Sequence, residues 1–227
     1  MSSPKDKKKK HGWIIAQRWS HILFLSFRCD AKLIRQKIPP ELDVDTHDGS
    51  AWLSIVPFYM SHIRFPFTPV LPMGSLWELN LRTYVKYNEK PGIYFFTLDT
   101  DNWLGQKIAK YCFHLPYRLR KMSGQVNENC YRFESHDSFS MEAKPDVMIE
   151  SSTLDTWLVE RYHLYTKSSR HLYRGDVFHE PWQLRCLSAL SFEDRFSSQF
   201  GFEPTSDVHA CYAESLDVRF RPFKKLI

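Results

Sequence analysis

The sequence predicts a single domain of mainly β structure with a few helices, an α+β class. Aromatic residues form 15% of the 227-residue chain, with 17 Phe, 11 Tyr and 7 Trp. Such side chains favour strands and fill thick cores or ligand cavities. Apolar and alternating runs recur between Pro, Gly, Asn and Asp clusters, as strands do between turns. Few segments combine a helical pattern with a capping residue.

The ordered part begins near Gly12, so residues 1–12 read as a disordered basic tail and 13–227 as one domain. Residues 22–29, ILFLSFRC, read as a buried strand. A short helix follows, capped by Asp30 and stopped by Pro39 and Pro40. Residues 51–65 form a long strand in which Pro57 requires an edge or a bulge, because proline donates no ladder hydrogen bond. The proline-rich stretch 65–75 is a rigid connection. Strands at 77–87 and from 93 pair as a hairpin across the NEKPG turn. Asn102 caps a helix in which Trp103, Ile108, Tyr111 and Cys112 form much of one face. Two or three strands fill 118–148, with turns at 127–130 and 135–138. Residues 152–165 read as one helix capped by Thr153. Two strands around a Gly-Asp or Glu-Pro turn occupy 170–192, and an alternating strand closes the chain.

The formal charge of +5 sits mostly in the tail, where five lysines against Asp6 give +4. The near-neutral body argues against a nucleic-acid groove. Five cysteines without a CxxC pair exclude a disulfide framework and a thiolate zinc site. Reduced cysteines fit a cytoplasmic protein. No uninterrupted apolar stretch is long enough for a membrane span.

The most informative row is ELNLRTYV. In a strand, Glu78, Asn80, Arg82 and Tyr84 face one way, while Leu79, Leu81, Thr83 and Val85 face the other. The polar row is either a solvated face or the lining of a cavity that orients a carboxylate or carbonyl ligand. Glu78 and Arg82 stand roughly 13 Å apart along an extended strand. His21, His62 and Arg64 read as structural residues. Glu160-x-x-His163 and His179-Glu180 lack the partners a metal site needs, so no metal is expected. There is no GxSxG elbow, GxGxxG or phosphate loop, which disfavours nucleotide cofactors. No cofactor is expected.

Residues 38–60, 78–85, 91–117 and 158–165, with HEPW at 179–182, carry a resemblance to the YqjF-like family of uncharacterised bacterial proteins. That family resembles the acetoacetate-decarboxylase-like superfamily. The resemblance implies a closed, mostly antiparallel β-barrel or cone with a few helices and an internal cavity. It also implies that Glu78 matches a cavity glutamate. The superfamily's Schiff-base lysine pair follows a Gly-x-Pro stretch, whose local match here is His114-Leu115-Pro116-Tyr117-Arg118. Tyr117 and Arg118 then replace the two lysines, so the Schiff-base mechanism is absent.

The leading reading is a cytoplasmic protein that encloses a small organic carboxylate or carbonyl ligand, with its reaction unassigned. Glu78 and Tyr117 are the catalytic candidates. Arg82, Arg118, Tyr84 and Asn80 are the ligand-binding candidates. The alternatives are a decarboxylase or related β-keto-acid lyase, a non-catalytic ligand sensor, and a structural or partner-binding protein. Homo-oligomerisation as a dimer is a further expectation, because strand edges need protection.

Overall fold

The computed structural model describes residues 12–66, 74–128, 130–168, 170–203 and 207–227, without the side chains of 108–112. The basic tail and most of the proline-rich connection lie outside these residues. The first strands are β1 (Ile15–Cys29), β2 (Asp43–Val44), β3 (Ala51–Arg64), β4 (Leu76–Tyr87), β5 (Lys90–Thr100), β6 (Tyr117–Leu119) and β7 (Met122–Asn127). Then come β8 (Cys130–Ser135), β9 (Phe139–Met148), β10 (His163–Lys167), β11 (Leu172–Phe178), β12 (Leu184–Asp194), β13 (Val208–Phe220) and β14 (Lys224–Lys225). The helices are α1 (Ala31–Lys37), α2 (Trp103–Phe113) and α3 (Thr153–Val159).

All the strands belong to one mixed sheet. Its order β11-β10-β5-β4-β3-β1-β13 returns on itself, because Val177 and Phe178 of β11 pair with Phe220 and Arg219 of β13. The result is a ring of hydrogen bonds, antiparallel except where β10 runs parallel to β5; β6 also pairs parallel to β5, off the ring. From β13 the sheet continues outward through β12, β9, β8 and β7.

This arrangement buries β1, β3 and β4 on both faces. One core, inside the ring, holds Phe24, Val56, Phe58, Tyr84, Leu98 and Trp182. The other holds Leu25, Phe27, Leu53, Leu79, Leu81, Tyr131 and Phe133, beneath the outer strands and α1. Continuous apolar runs in these strands follow from having no wet face.

Three irregularities keep the ring's inner face lined. A register shift separates the Ser20–Tyr59 and Leu25–Ile55 pairs of β1 and β3. Within it, His21 takes φ 54°, and the inward side chains change from Ile15, Gln17 and Trp19 to Ile22 and Phe24. Pro57 lies opposite this shift, where its missing donor leaves no ladder gap. His62, at φ 52°, accompanies the change from Met60 to Ile63. Phe96 is the extra residue between the Leu81–Thr97 and Arg82–Phe95 pairs, and the inward set passes from Phe95 to Leu98.

Local chemistry explains the element ends. Asp30 accepts from Lys32 N at 2.8 Å and starts α1. Asn102 caps α2 by accepting from Leu104 N and Gly105 N. Trp103 of the expected apolar face is 58% exposed, with Lys107 over its ring at 5.0 Å, and the side chains of Ile108, Tyr111 and Cys112 lie outside the described ones. The segment expected to form one helix over 152–165 divides. Ser152, not Thr153, forms a capping box with Asp155, and the helix ends at Val159. From His163 the chain pairs with β5 through Leu164–Ile93 and Tyr165–Tyr94, so sheet contacts override helical pattern. Neither expected turn reverses the chain: Gly175-Asp176 lies within β11, and β11 and β12 both run antiparallel to β13, so the strand direction is kept through Glu180-Pro181.

The β4–β5 hairpin turns through Asn88 (φ 48°) and Glu89 (φ 59°), a two-residue turn of type I′. Glutamate disfavours this region whereas glycine does not. Glu89→Gly is expected to stabilise the fold by about 1 kcal/mol, read from urea unfolding. A loss of stability would contradict the turn assignment.

Candidate functional site

Every strand of the ring contributes to a cavity of about 120 Å³. Its walls are largely apolar, including Phe24, Phe58, Phe95, Leu98, Leu164 and Val177. β4 runs without a bulge along this wall and presents Glu78, Asn80 and Arg82 in alternation. Tyr117 enters from β6, which follows α2 and lies beside Leu98 of β5. His114, at φ 54°, ends α2, and its carbonyl accepts from Thr166 Oγ1 at 2.6 Å. Gln106 Nε2 donates to the Tyr117 carbonyl at 3.3 Å. These bonds fix the turn that aims Tyr117 inward.

Tyr117 Oη donates to Glu78 Oε2 at 2.5 Å, and Asn80 Nδ2 donates to Glu78 Oε1 at 3.3 Å. Glu78 is buried. Burial raises its pKa to about 7, the bonds from Tyr117 and Asn80 oppose the rise, and Asp99 adds to it. Burial and the adjacent Glu78 carboxylate push the Tyr117 phenol well above its ordinary value. The pair therefore holds one proton-accepting carboxyl near neutrality and one phenol that stays protonated.

Arg82 is 8% exposed. Its Nε and Nη2 have no hydrogen-bond partner among the described residues, and it forms no ion pair there. Its guanidinium lies 5.3 Å from the Phe24 ring centre and 6.0 Å from that of Tyr84. Aromatic faces offset part of the cost of burying this charge.

The remaining candidates sit elsewhere. Tyr84 is buried below the cavity, with its hydroxyl 2.6 Å from Ser54 Oγ, and does not line it. Arg118 is turned to the opposite side of β6 from Tyr117. It binds Asp99 through Nε–Oδ1 at 2.7 Å and Nη2–Oδ2 at 2.8 Å, over the rings of Phe196 and Phe200. Adjacent residues of a strand point to opposite faces, which separates the two. Arg118 thus anchors β6 to β5 and does not line the cavity.

Two ionisable lining residues, Arg161 and His179, were not among the ligand-binding or catalytic candidates of the sequence. Arg161 follows α3, pairs with Asp45 and reaches the cavity wall. His179 lies against Tyr162 at 4.7 Å and Trp182 at 5.2 Å, with Nδ1 2.7 Å from the Glu180 carbonyl oxygen. Burial lowers its pKa, which favours the neutral ring. Both belong to HEPW and LVERYHLY, stretches that carried the family resemblance. Among the described residues, no group of three His, Cys, Asp or Glu side chains gathers as a metal site. No lysine is among the described lining residues.

The ring, cavity and helix placement define an acetoacetate-decarboxylase-like fold. The Legionella pneumophila acetoacetate decarboxylase superposes with a TM-score of 0.72 at 11% identity, over 93% of this chain and 87% of that one. The enduracididine biosynthesis enzyme MppR, in its complex with pyruvate, gives 0.67 at 12% identity, over 99% and 95%. Sequence narrows the class further. Residues 16–217 match the model of DUF2071, described as an uncharacterised conserved protein, and the chain belongs to that family. The uncharacterised protein YqjF of Bacillus subtilis (strain 168) is 37% identical over 224 residues, 94% of this chain and 93% of that protein.

The folded pKa of Glu78, about 7, lies above its ordinary value of 4.5. The folded state therefore holds the Glu78 proton longer than the unfolded chain does. Its contribution to stability is fullest below the unfolded pKa and is lost as pH rises through about 7. Glu78→Gln cannot titrate. The stability of this variant relative to wild type should rise by about 3 kcal/mol across that window, measured by urea unfolding at a series of pH values. A constant difference would contradict the assignment.

Proposed function

We propose that this chain binds a small organic carboxylate or carbonyl compound inside the ring and acts on it by proton transfer. One observation carries the reading. Arg82 is a buried guanidinium with unpartnered donors on the wall of a largely apolar cavity. A buried charge without a protein partner is costly unless a ligand supplies the partner. The cavity volume of about 120 Å³ suits a ligand of roughly six non-hydrogen atoms, since a designed apolar cavity of similar size takes benzene. Solved relatives of the fold include a complex with pyruvate and an acetoacetate decarboxylase, which supports the same ligand chemistry here.

In this reading Arg82 holds the anionic group. Tyr117 donates to a carbonyl or hydroxyl oxygen. Glu78 exchanges a proton at the adjacent atom, for which a pKa near the working pH is effective. Asn80 steers the Glu78 carboxyl and offers its own unpartnered Oδ1 to the ligand. A cytoplasmic location fits the free thiols of Cys29, Cys130, Cys186 and Cys211.

The fold likeness favours one competing reading, a decarboxylase or β-keto-acid lyase acting through a lysine imine. That reading predicts a lysine adduct when the protein is mixed with pyruvate and a hydride reagent. Our reading predicts no mass increase.

Acetate and pyruvate should bind saturably and alter the fluorescence of Trp19 and Trp182, which line the cavity. Arg82→Met should weaken pyruvate binding by about ten- to a hundredfold, the range for hydrogen bonds to a charged group. Equal affinity in the variant would remove Arg82 from the site.

A further inference from the structure

Arg161 is a second buried guanidinium on the same wall, at 7% exposure. Unlike Arg82, it arrives already oriented. Its Nη1 donates to Asp45 Oδ2 at 2.6 Å and its Nε to the Trp157 carbonyl at 2.5 Å. The group lies 4.3 Å from the Trp157 ring centre and 5.1 Å from that of Tyr84. Asp45 is itself held from outside by Lys86 Nζ at 3.1 Å. With two edges engaged and both neighbouring rings in place, the guanidinium has no free rotation. Its third edge, Nη2, is buried without a partner among the described residues.

The orphaned polar atoms are concentrated at one cavity. Seven buried side-chain nitrogen or oxygen atoms lack a hydrogen-bond partner among the described residues. Four of them, Asn80 Oδ1, Arg82 Nε, Arg82 Nη2 and Arg161 Nη2, belong to cavity-lining residues. Each such atom costs about what a lost hydrogen bond costs, so the three arginine donors at one cavity point to a shared acceptor; Asn80 Oδ1, itself an acceptor, takes no part in that contact. Three are cationic donors, and Tyr84 underlies both arginines, at 6.0 Å from one and 5.1 Å from the other.

We propose that Arg161 is a second anion-holding residue, and that Arg82 and Arg161 together grip the charged end of a short monocarboxylate. This deepens the ligand reading above and rests on it. The charge balance sets the class. Asp45 is the buried counter-charge of Arg161, its second partner Lys86 being partly exposed and screened by water, whereas Arg82 has no carboxylate partner among the described residues. One negative charge completes the set. A planar carboxylate fits guanidinium edges better than a neutral carbonyl does. The Glu78–Tyr117 end receives the uncharged part of the ligand.

The test uses the full chain labelled with 15N-arginine, titrated with acetate, propionate, acetamide and inorganic phosphate. Acetate and propionate should shift the side-chain signals of both Arg82 and Arg161, and acetamide should shift neither. Arg161→Lys and Arg82→Lys identify the signals, and each should weaken propionate binding about tenfold or more. The wild-type titration remains decisive if Arg161→Lys fails to fold. Shifts confined to Arg82, with Arg161→Lys binding as wild type, would overturn the role of Arg161 and leave the ligand reading standing. Preference for phosphate would overturn the monocarboxylate class. Absence of saturable binding by either carboxylate would overturn both the clamp and the reading beneath it.

Discussion

The structure turns on one buried positive charge. Arg82 stands in the inner face of a closed ring whose other inward side chains are mostly apolar. A surface arginine in the same strand would cost nothing, but β4 has no wet face. The ring could be packed more stably with an apolar residue there. What surrounds Arg82 fits a site held ready for an anion. Phe24 and Tyr84 face the guanidinium, and Arg161 is locked nearby by Asp45 and Trp157.

The rest of the architecture serves to present this row. Bulges at His21, His62 and Phe96 change which residues of β1, β3 and β5 point inward, so the neighbours of β4 keep large apolar side chains on the cavity wall. β4 itself is straight, and its alternation delivers Glu78, Asn80 and Arg82 to the cavity in sequence. The outer strands and α1 cover the other face with a second core. Tyr117 arrives from β6, and the Arg118–Asp99 ion pair clamps that short strand to β5. Disturbing the clamp would move Tyr117 relative to Glu78.

The alternation of ELNLRTYV was legible because a straight strand follows period two, and its apolar partner face was equally plain. The family resemblance supplied ring closure, which no local pattern encodes, since the closing pairs join residues 177–178 to 219–220. Pro57 signalled the irregularity between β1 and β3, but the residues that bulge were not legible: His21 and Phe96 take their places through cross-strand register. Arg161 was hidden in an expected helix that ends early because Leu164 and Tyr165 pair with β5. The resemblance set Arg118 beside Tyr117 in place of the two lysines, but adjacent strand residues diverge, and Asp99 claims the arginine. His179 lies in the irregular link between β11 and β12, which no periodicity could orient.

The most direct test compares the unfolding free energies of wild type and Arg82→Met in urea without added carboxylate. If Arg82 is an unmatched cation kept for a ligand, the variant is more stable, by about 1–3 kcal/mol. If Arg82 is instead a structural residue with its own internal partners, the variant loses several kcal/mol, and the account of the cavity as an anion site fails.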